Sequence, residues 1–140
     1  MSGFPGAEGV HNEVVKGGGR IYVAPGDYHM SLVRSSDGSK VLISLDQGPK
    51  RNSVRPAVDS LFESMAKIYG NASAVFVLTG MGEDGKIGAE AIKEVAGGVM
   101  IQDRESSVVW GMPGAIHQAQ AFDLMGNLDQ CAAVLKKLIA

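Results

Sequence analysis

The segment that most constrains the fold is an unbroken apolar run followed at once by a glycine-rich loop. Every residue from Ala74 to Leu78 (AVFVL) is apolar, which is typical of a parallel strand that helices cover on both faces. The residues that follow, Thr79 to Gly88, include four glycines and lead into a helical pattern. We predict that Ala74 to Leu78 is the middle strand of a parallel sheet. The loop would then lie at its carboxyl end, where open α/β sheets bind ligands.

The rest of the chain alternates between short strand patterns and helical ones. Strand patterns occur at Arg20–Ala24, His29–Arg34, Lys40–Leu45, Val99–Ile101 and Phe122–Met125. The second and third of these flank an Asp37-Gly38 turn and predict a β-hairpin. Helical stripes comprise Val58, Leu61, Phe62, Met65 and Ile68, then Ile87 to Val95, Ala115 to Ala121 and Leu128 to Leu138. This alternation predicts right-handed βαβ units and therefore an α/β fold, a mostly parallel, three-layer sheet with an edge β-hairpin.

Charge and composition argue against several classes of partner and location. The 140 residues carry a formal net charge of −2 and no dense basic run, so nucleic acid is not an expected partner. There is no long apolar stretch and no secretory signal. Cys131 is the only cysteine, so an internal disulfide is impossible, and its place on the last apolar stripe predicts a buried, inert thiol. We expect a cytoplasmic protein without membrane insertion.

The first residues differ in composition from the remainder. Residues 1–19 contain six glycines and little apolar continuity. This predicts a loosely ordered leader, followed by a domain over residues 20–140.

The glycine loop supports two interpretations. Gly80, Gly82 and Gly85 satisfy Gly-x-Gly-x-x-Gly, and Asp103 follows where a ribose-binding acid would stand in a dinucleotide-binding protein. Against this, Glu83-Asp84 would place two carboxylates where a pyrophosphate has to contact bare N–H groups.

In the other interpretation an acid in this loop is itself functional. A carboxylate near a helix N-terminus is stabilised in its ionised form. An ionised Asp84 could either cap the helix that the loop opens or orient a catalytic histidine. Both roles place its carboxylate within hydrogen-bond reach of backbone N–H groups.

Several motifs together resemble the CheB protein-glutamate methylesterase family. They are, in chain order, Ile21–Met30 (IYVAPGDYHM), Arg55–Phe62 (RPAVDSLF), Val77–Gly85 (VLTGMGEDG), Ala96–Gly98 (AGG), Gln102–Val109 (QDRESSVV) and Gly111–Pro113 (GMP). The similarity runs from about Gly19 to Ile139 and corresponds to the later part of the family's doubly wound catalytic domain. It implies a hydrolase that demethylates glutamyl methyl esters on the cytoplasmic domain of chemoreceptors. In the parent protein a phosphorylated receiver domain would regulate it.

The resemblance also implies roles for single residues. Asp84 matches the acid of the family's Ser-His-Asp triad, and Met81 would lie beside the reacting ester. The implied lining of the active site is Thr79, Gly80, Met81, Gly82, Met112 and Pro113. The resemblance implies neither a cofactor nor a metal. The sequence has no His-x-x-x-His or paired-cysteine spacing that would predict a metal site.

The other two triad residues have no counterpart in these 140 residues. The family carries its serine in a glycine-rich loop and its histidine in a His-Met-Pro segment, both upstream of the matched region. No serine here stands in Gly-x-Ser-x-Gly, and His11, His29 and His117 fall on the leader, the hairpin and a helix. We therefore expect a fragment or truncated homologue that carries Asp84 and is inactive alone.

The sequence is compatible with two other functions, and it also predicts self-association. The alternatives are a non-catalytic receptor-binding or scaffold module and a dinucleotide-binding protein. A sheet that lacks the upstream part of its domain would expose an apolar strand edge. We therefore expect a homodimer or a swapped oligomer.

Overall fold

The computed structural model of the protein describes residues 6–139. The strands in this range are β1 (Gly6–Glu8), β2 (Ile21–Val23), β3 (His29–Arg34), β4 (Val41–Asp46), β5 (Ala74–Val77), β6 (Gly98–Gln102) and β7 (Leu124–Gly126). The α-helices are α1 (Val58–Tyr69), α2 (Lys86–Glu94), α3 (Gly111–Gln118) and α4 (Leu128–Ile139). A short 3₁₀ turn at Gly70–Ala72 follows α1. None of the helices in the described range is long and apolar enough to span a bilayer.

The later half of the chain is built on a parallel sheet in the order β5-β6-β7, and the predicted α/β class is confirmed. Ile101 of β6 pairs with Val77 on one side and with Met125 on the other. β6 is thus the middle strand, and its residues Val99–Gln102 are buried. The prediction that Ala74–Leu78 is the middle strand is wrong for the described residues, since β5 lies at the edge of this sheet. An apolar run reports that both faces of a strand are apolar, but it does not say which strands lie beside it.

The predicted hairpin is present. β3 and β4 pair antiparallel along their whole length. In the turn between them, Asp37 Oδ1 accepts hydrogen bonds from the hydroxyls of Ser35 at 2.6 Å and Ser39 at 2.8 Å. The hydrogen bond from Ser35, followed by those from Ser39, lowers the pKa of Asp37 to about 2.

The described part of the predicted leader, residues 6–19, is hydrogen-bonded to the domain. β1 pairs in parallel with β2, and Val14 forms a bridge with Leu42 of β4. The Val15 N–H donates to the carbonyl oxygen of Val41 at 2.8 Å. The free edges of β2 and β4 offer unpaired backbone groups that this extended segment satisfies. Residues 1–5 of the predicted leader lie outside the described range.

The main apolar core lies between one face of the β5–β6 pair and helices α1, α2 and α3. Its buried members are Phe62, Ala66, Val75, Val77, Ala89, Ile92, Val99, Ile101, Ile116 and Ala121. Helix α1 occupies the interval between Pro56 and Gly70, as its apolar stripe predicts. At Gly88 of α2 an added Cβ would lie 2.6 Å from Phe62 Cβ. The glycine therefore lets the N-terminal parts of α1 and α2 come close together.

The opposite face of the same sheet is less completely covered. Leu124 of β7 is 50% exposed, and Leu138 of α4 is 58% exposed. Between the sheet and α4 runs a groove of about 340 Å³ that includes Ala74, Phe76, Met100, Leu124, Val134 and Leu138 in its lining. The sheet therefore has one closed face and one partly open face.

Candidate active site

The loop at the carboxyl end of β5 turns sharply before α2 begins. Gly82 and Gly85 have φ values of 87° and 99°, which favour glycine over residues with a side chain. Gly85 is the N-cap of α2. An added Cβ at Gly85 would also contact Val58 of α1 at 3.4 Å. The turn thus brings the residue before Gly85, Asp84, against the start of α1.

The Asp84 side chain is 6% exposed and is held by backbone N–H groups of α1. Its Oδ2 accepts from the Val58 N–H at 2.7 Å, and its Oδ1 accepts from the Asp59 N–H at 3.2 Å. The Asn52 side-chain amide donates to the same Oδ1 at 3.1 Å. These donors fix the orientation of the Asp84 side chain at the start of α1.

A second buried carboxylate, Asp59, accepts hydrogen bonds from backbone N–H groups at the start of α2. It is 1% exposed, and its Oδ1 accepts from the N–H groups of Gly85 at 3.0 Å and Gly88 at 2.7 Å. Its Oδ2 accepts from the Asn52 amide at 2.9 Å. Neither Asp59 nor Asn52 is among the sequence-predicted site residues. A signal for Asp59 does exist in the sequence, because an acid at the helical spacing of the buried Phe62 and Ala66 stands on the core-facing side of α1.

A positive charge lies beside the two acids. Arg51 donates through Nη1 to Glu63 and, at 3.4 Å, to Ser60 Oγ. The hydrogen bond to Glu63 is the main cause that raises the pKa of Arg51 above its ordinary value, and the charges of Asp59 and Asp84 act in the same direction. Arg51 is therefore a permanent cation near a pair of buried carboxylates.

These contacts bear on both interpretations of the glycine loop. Backbone N–H groups do surround the Asp84 carboxylate, but they belong to α1 and not to α2, the helix that the loop opens. At the start of α2, the N–H groups of Gly85 and Gly88 already donate to Asp59. A dinucleotide would need the same N–H groups for its pyrophosphate, so the arrangement argues against that interpretation. Asp103 accepts from Ser106 within its own turn.

The loops after β5 and β6 are joined to each other. Thr79 Oγ1 donates to the Val109 carbonyl at 2.9 Å and accepts from the Val109 N–H at 2.8 Å. The Met112 N–H donates to the Gly80 carbonyl at 2.9 Å. An added Cβ at Gly80 would lie 2.5 Å from Met112 Sδ. Thr79, Gly80 and Met112 thus hold the two loops in contact.

The predicted lining residues fall into two groups. Gly82 lines an open cleft of about 960 Å³, and Met81 is 83% exposed. Pro113, in contrast, is fully buried in the first turn of α3 and does not line the cleft. The reason is that α3 begins at Gly111, which directs Pro113 toward the core.

The cleft has residues that the sequence-based list lacks. Its walls include Glu83, Arg104, Trp110, His117, Gln118 and Gln120. Trp110 donates its indole N–H to the Gln102 carbonyl at 2.9 Å, and its ring lies 5.2 Å from the ring of His117. The Arg104 guanidinium carbon lies 6.0 Å from the Trp110 ring centre. Trp110 therefore both fills space against α3 and lines the cleft.

The histidines are placed as follows. His29 is buried, with Nε2 2.8 Å from the Pro49 carbonyl and Nδ1 accepting from the Ala57 N–H at 3.2 Å. Both ring nitrogens of His29 are thus engaged by backbone groups. His11 Nδ1 accepts from the Leu45 N–H at 3.0 Å, and His117 stacks with Phe122 at 5.3 Å.

Within residues 6–139 no group of three or more His, Cys, Asp or Glu side chains could hold a metal ion. Cys131 is buried, and desolvation raises the pKa of its thiol.

The fold and the site together define an α/β domain that presents a buried carboxyl group at the carboxyl end of a parallel strand. Comparison with known proteins identifies the family. The family model described as CheB methylesterase matches residues 4–135. A protein-glutamate methylesterase/protein-glutamine glutaminase of Rhodospirillum rubrum is 47% identical over 95% of this chain and 34% of its own length. A protein of the same description from Caulobacter vibrioides is 50% identical over 80% of this chain and 32% of its own length.

A solved structure agrees with this result. The CheB methylesterase catalytic domain of Thermotoga maritima is 38% identical and superimposes with a TM-score of 0.84, over 94% of this chain and 67% of that domain. The chain belongs to the CheB methylesterase family. It spans about a third of the length of the curated relatives named above.

Proposed function

We propose that the chain is the acid-bearing part of a methylesterase domain that hydrolyses glutamyl methyl esters of chemoreceptors. Asp84 is the carboxylate that orients the catalytic histidine. The observation that carries this proposal is the Asp84 carboxylate itself, buried and bound by N–H groups of α1. In a Ser-His-Asp triad the acid accepts an imidazole N–H and stabilises the imidazolium that forms. Among the described residues Oδ2 accepts a single hydrogen bond, from Val58, so a lone pair remains for that contact.

The isolated 140-residue chain is expected to be inactive. No serine stands in a Gly-x-Ser-x-Gly motif. His29 contacts Ala57, the residue before Val58, but both of its ring nitrogens already lie within hydrogen-bond distance of backbone groups. The nucleophile and the base therefore come from a segment other than residues 6–139. Asp84 supplies orientation, and the cleft beside Trp110 faces the substrate.

The partners follow from the family. The substrate is the cytoplasmic part of a methyl-accepting chemoreceptor, the protein works in the cytoplasm, and a phosphorylated receiver domain controls the parent enzyme. The curated relatives are also named protein-glutamine glutaminases. The same acyl chemistry would act on a glutamine side chain, releasing ammonia where the ester releases methanol.

The open edge of β5 favours self-association. Phe76 and Leu124 line a groove that α4 leaves partly uncovered, and a free parallel strand edge is a site for pairing with another chain. We expect a homodimer or swapped oligomer that buries more than about 1,000 Å² in total. Sedimentation at micromolar concentration should give twice the mass of 14.6 kDa, and Phe76→Glu should give a monomer. A wild-type monomer would contradict this.

A non-catalytic receptor-binding module is the second candidate. It is favoured by the exposure of two apolar side chains on the joined loops, Met81 at 83% and Val108 at 92%. Exposed apolar residues of this kind mark interaction surfaces when they lie together. A module of this kind would bind receptor but take no part in hydrolysis, so receptor binding by the chain together with no hydrolysis in the wild-type complemented mixture favours this candidate.

Complementation tests the leading proposal. Release of methanol from a glutamyl-methyl-ester peptide is measured for the chain alone and after addition of the part of the Rhodospirillum rubrum relative that this chain does not match. We expect no turnover alone and clear turnover in the mixture, lost in Asp84→Ala. The relative's own matching region, cut at the same place, is the positive control. Hydrolysis by the chain alone would contradict the proposal, as would no hydrolysis in a mixture whose positive control is active.

A further inference from the structure

Two buried carboxylates exchange helix caps where β5, α1 and α2 meet. Asp84 lies two residues before α2 but accepts from the first N–H groups of α1. Asp59 lies in the first turn of α1 but accepts from the N–H groups of Gly85 and Gly88. Neither helix has a side-chain cap from its own N-cap residue. Each helix start therefore depends on an acid that belongs to the other.

One side-chain amide joins the two acids. The Asn52 Nδ2 contacts Asp59 Oδ2 at 2.9 Å and Asp84 Oδ1 at 3.1 Å. Asn52 and Ser53 have positive φ values of 52° and 65° and form a two-residue turn closed by hydrogen bonds between Arg51 and Val54. A turn of this type needs both central residues at positive φ, a conformation that asparagine tolerates better than most residues. The backbone therefore holds the shared amide in place.

We propose that Asp59 is a positioning residue for Asp84, which fixes the orientation of the Asp84 carboxylate by capping α2 from α1 and by sharing the Asn52 amide. Without the Asp59 acceptor, the N–H groups of Gly85 and Gly88 would lose their partner. Asp84 is the acid next to them in the chain, and it would turn away from Val58 to cap its own helix. This inference rests on the proposed function of Asp84, because the orientation matters only if Oδ2 has to meet a histidine.

The test is the variant Asp59→Asn, which leaves α2 with an amide oxygen, a weaker acceptor than a carboxylate oxygen, and places an NH₂ group against the Asn52 amide. The amide proton signal of Val58 reports the bond to Asp84 Oδ2. We expect that signal to move toward its position in Asp84→Ala. In the complemented enzyme kcat should fall on the order of 10- to 100-fold with KM unchanged, because a small misplacement of a catalytic group has an effect of this size.

A swap separates orientation from stability. Asn52→Asp combined with Asp59→Asn restores a donor and an acceptor between positions 52 and 59, but it places a carboxylate against Asp84. We expect the free energy of unfolding to recover in part while the Val58 signal and kcat do not. The proposal is wrong if the Val58 signal and kcat change in proportion to the free energy of unfolding across the variants. It is also wrong if Asp59→Asn changes neither the Val58 signal nor kcat.

Two further variants complete the test. Asn127 caps α4 by accepting from the Gln130 N–H at 2.8 Å, so Asn127→Ala should lower stability without moving the Val58 signal. Should Asp59→Asn fail to fold, Asn52→Gly removes the shared amide of an exposed residue while keeping a residue that tolerates the positive φ of this turn, and it should move the signal in the same direction. An unmoved signal would then overturn the proposal. If the wild-type mixture hydrolyses no ester, the proposed function fails, while the Val58 signal still decides the question of orientation.

Discussion

The two faces of the β5-β6-β7 sheet differ in how completely this chain covers them. On the face toward α1 and α2 the apolar core is closed. Beside this core, the buried acids Asp84 and Asp59 each accept hydrogen bonds from backbone N–H groups. In the described part of the chain, no buried side-chain nitrogen or oxygen lacks a partner. On the face toward α4 a groove remains, lined by residues such as Phe76 and Leu124. The comparison shows that the described residues hold the Asp84 side chain by themselves, whereas the groove beside α4 remains partly open.

The largest difference between the two faces should be seen with two isomeric side chains. Ile101 is fully buried in the closed face, whereas Leu124 on the next strand is 50% exposed beside the groove. We expect Ile101→Ala to lower the free energy of unfolding by about 4 kcal/mol, from lost burial and the cavity left behind. Leu124→Ala should lower it by less than about 1 kcal/mol. Equal losses in urea unfolding would show that the groove face is as well packed as the core.

The next effect concerns the polar junction. Asp59→Ala removes the acceptor of the Gly85 and Gly88 N–H groups and of the Asn52 amide. We expect a loss of about 3 kcal/mol, because hydrogen bonds to a charged group are strong and the donors are left buried without partners. Asp129, which also lies in the first turn of a helix but is exposed, is the matched control. Asp129→Ala should lower the free energy of unfolding by at most about 1 kcal/mol. Equal losses for Asp59→Ala and Asp129→Ala would mean that the exchanged caps add nothing beyond the interaction of an acid with a helix dipole.

The smallest effect should come from a turn that belongs to neither face. The pKa of Asp37 is lowered from 3.8 to about 2 by the hydroxyl of Ser35 and the groups of Ser39. Between these pH values the unfolded chain binds more protons at this position, so the contribution of Asp37 is present above about pH 4 and is lost as the pH falls through about 2. Carboxyl NMR titration should show the low midpoint, and Ser35→Ala should raise it. A midpoint near 3.8 in the wild type would contradict this.

Local sequence patterns predicted the elements that neighbouring residues decide. The stripe from Val58 to Ile68 between Pro56 and Gly70 predicted α1, and the Asp37-Gly38 signal predicted the hairpin. Helix α1 and the hairpin both depend on interactions between residues close in sequence, and residue propensity and apolar spacing detect such interactions directly. The role of Asp84 as a triad acid, in contrast, came from the resemblance to the family and stays a prediction.

Contacts between distant residues were not accessible in this way. The bond between Asp84 and Val58 joins residues 26 positions apart, and no local pattern shows that a residue preceding α2 will cap α1. Similarly, the apolar faces of β5 did not reveal that β5 lies at the edge of the described sheet. The resemblance to the family implied that Pro113 lines the active site, but in the structure Pro113 is buried in the first turn of α3.

We propose that Asp84 is the orienting acid of a hydrolase that another segment completes. The most direct measurement is kcat for ester hydrolysis in the complemented mixture with Asp84→Asn, which keeps the shape of the side chain but removes its charge. We expect kcat to fall by about 10⁴-fold, which is the effect of the same change on the acid of a Ser-His-Asp triad. A kcat equal to that of the wild-type mixture would contradict it.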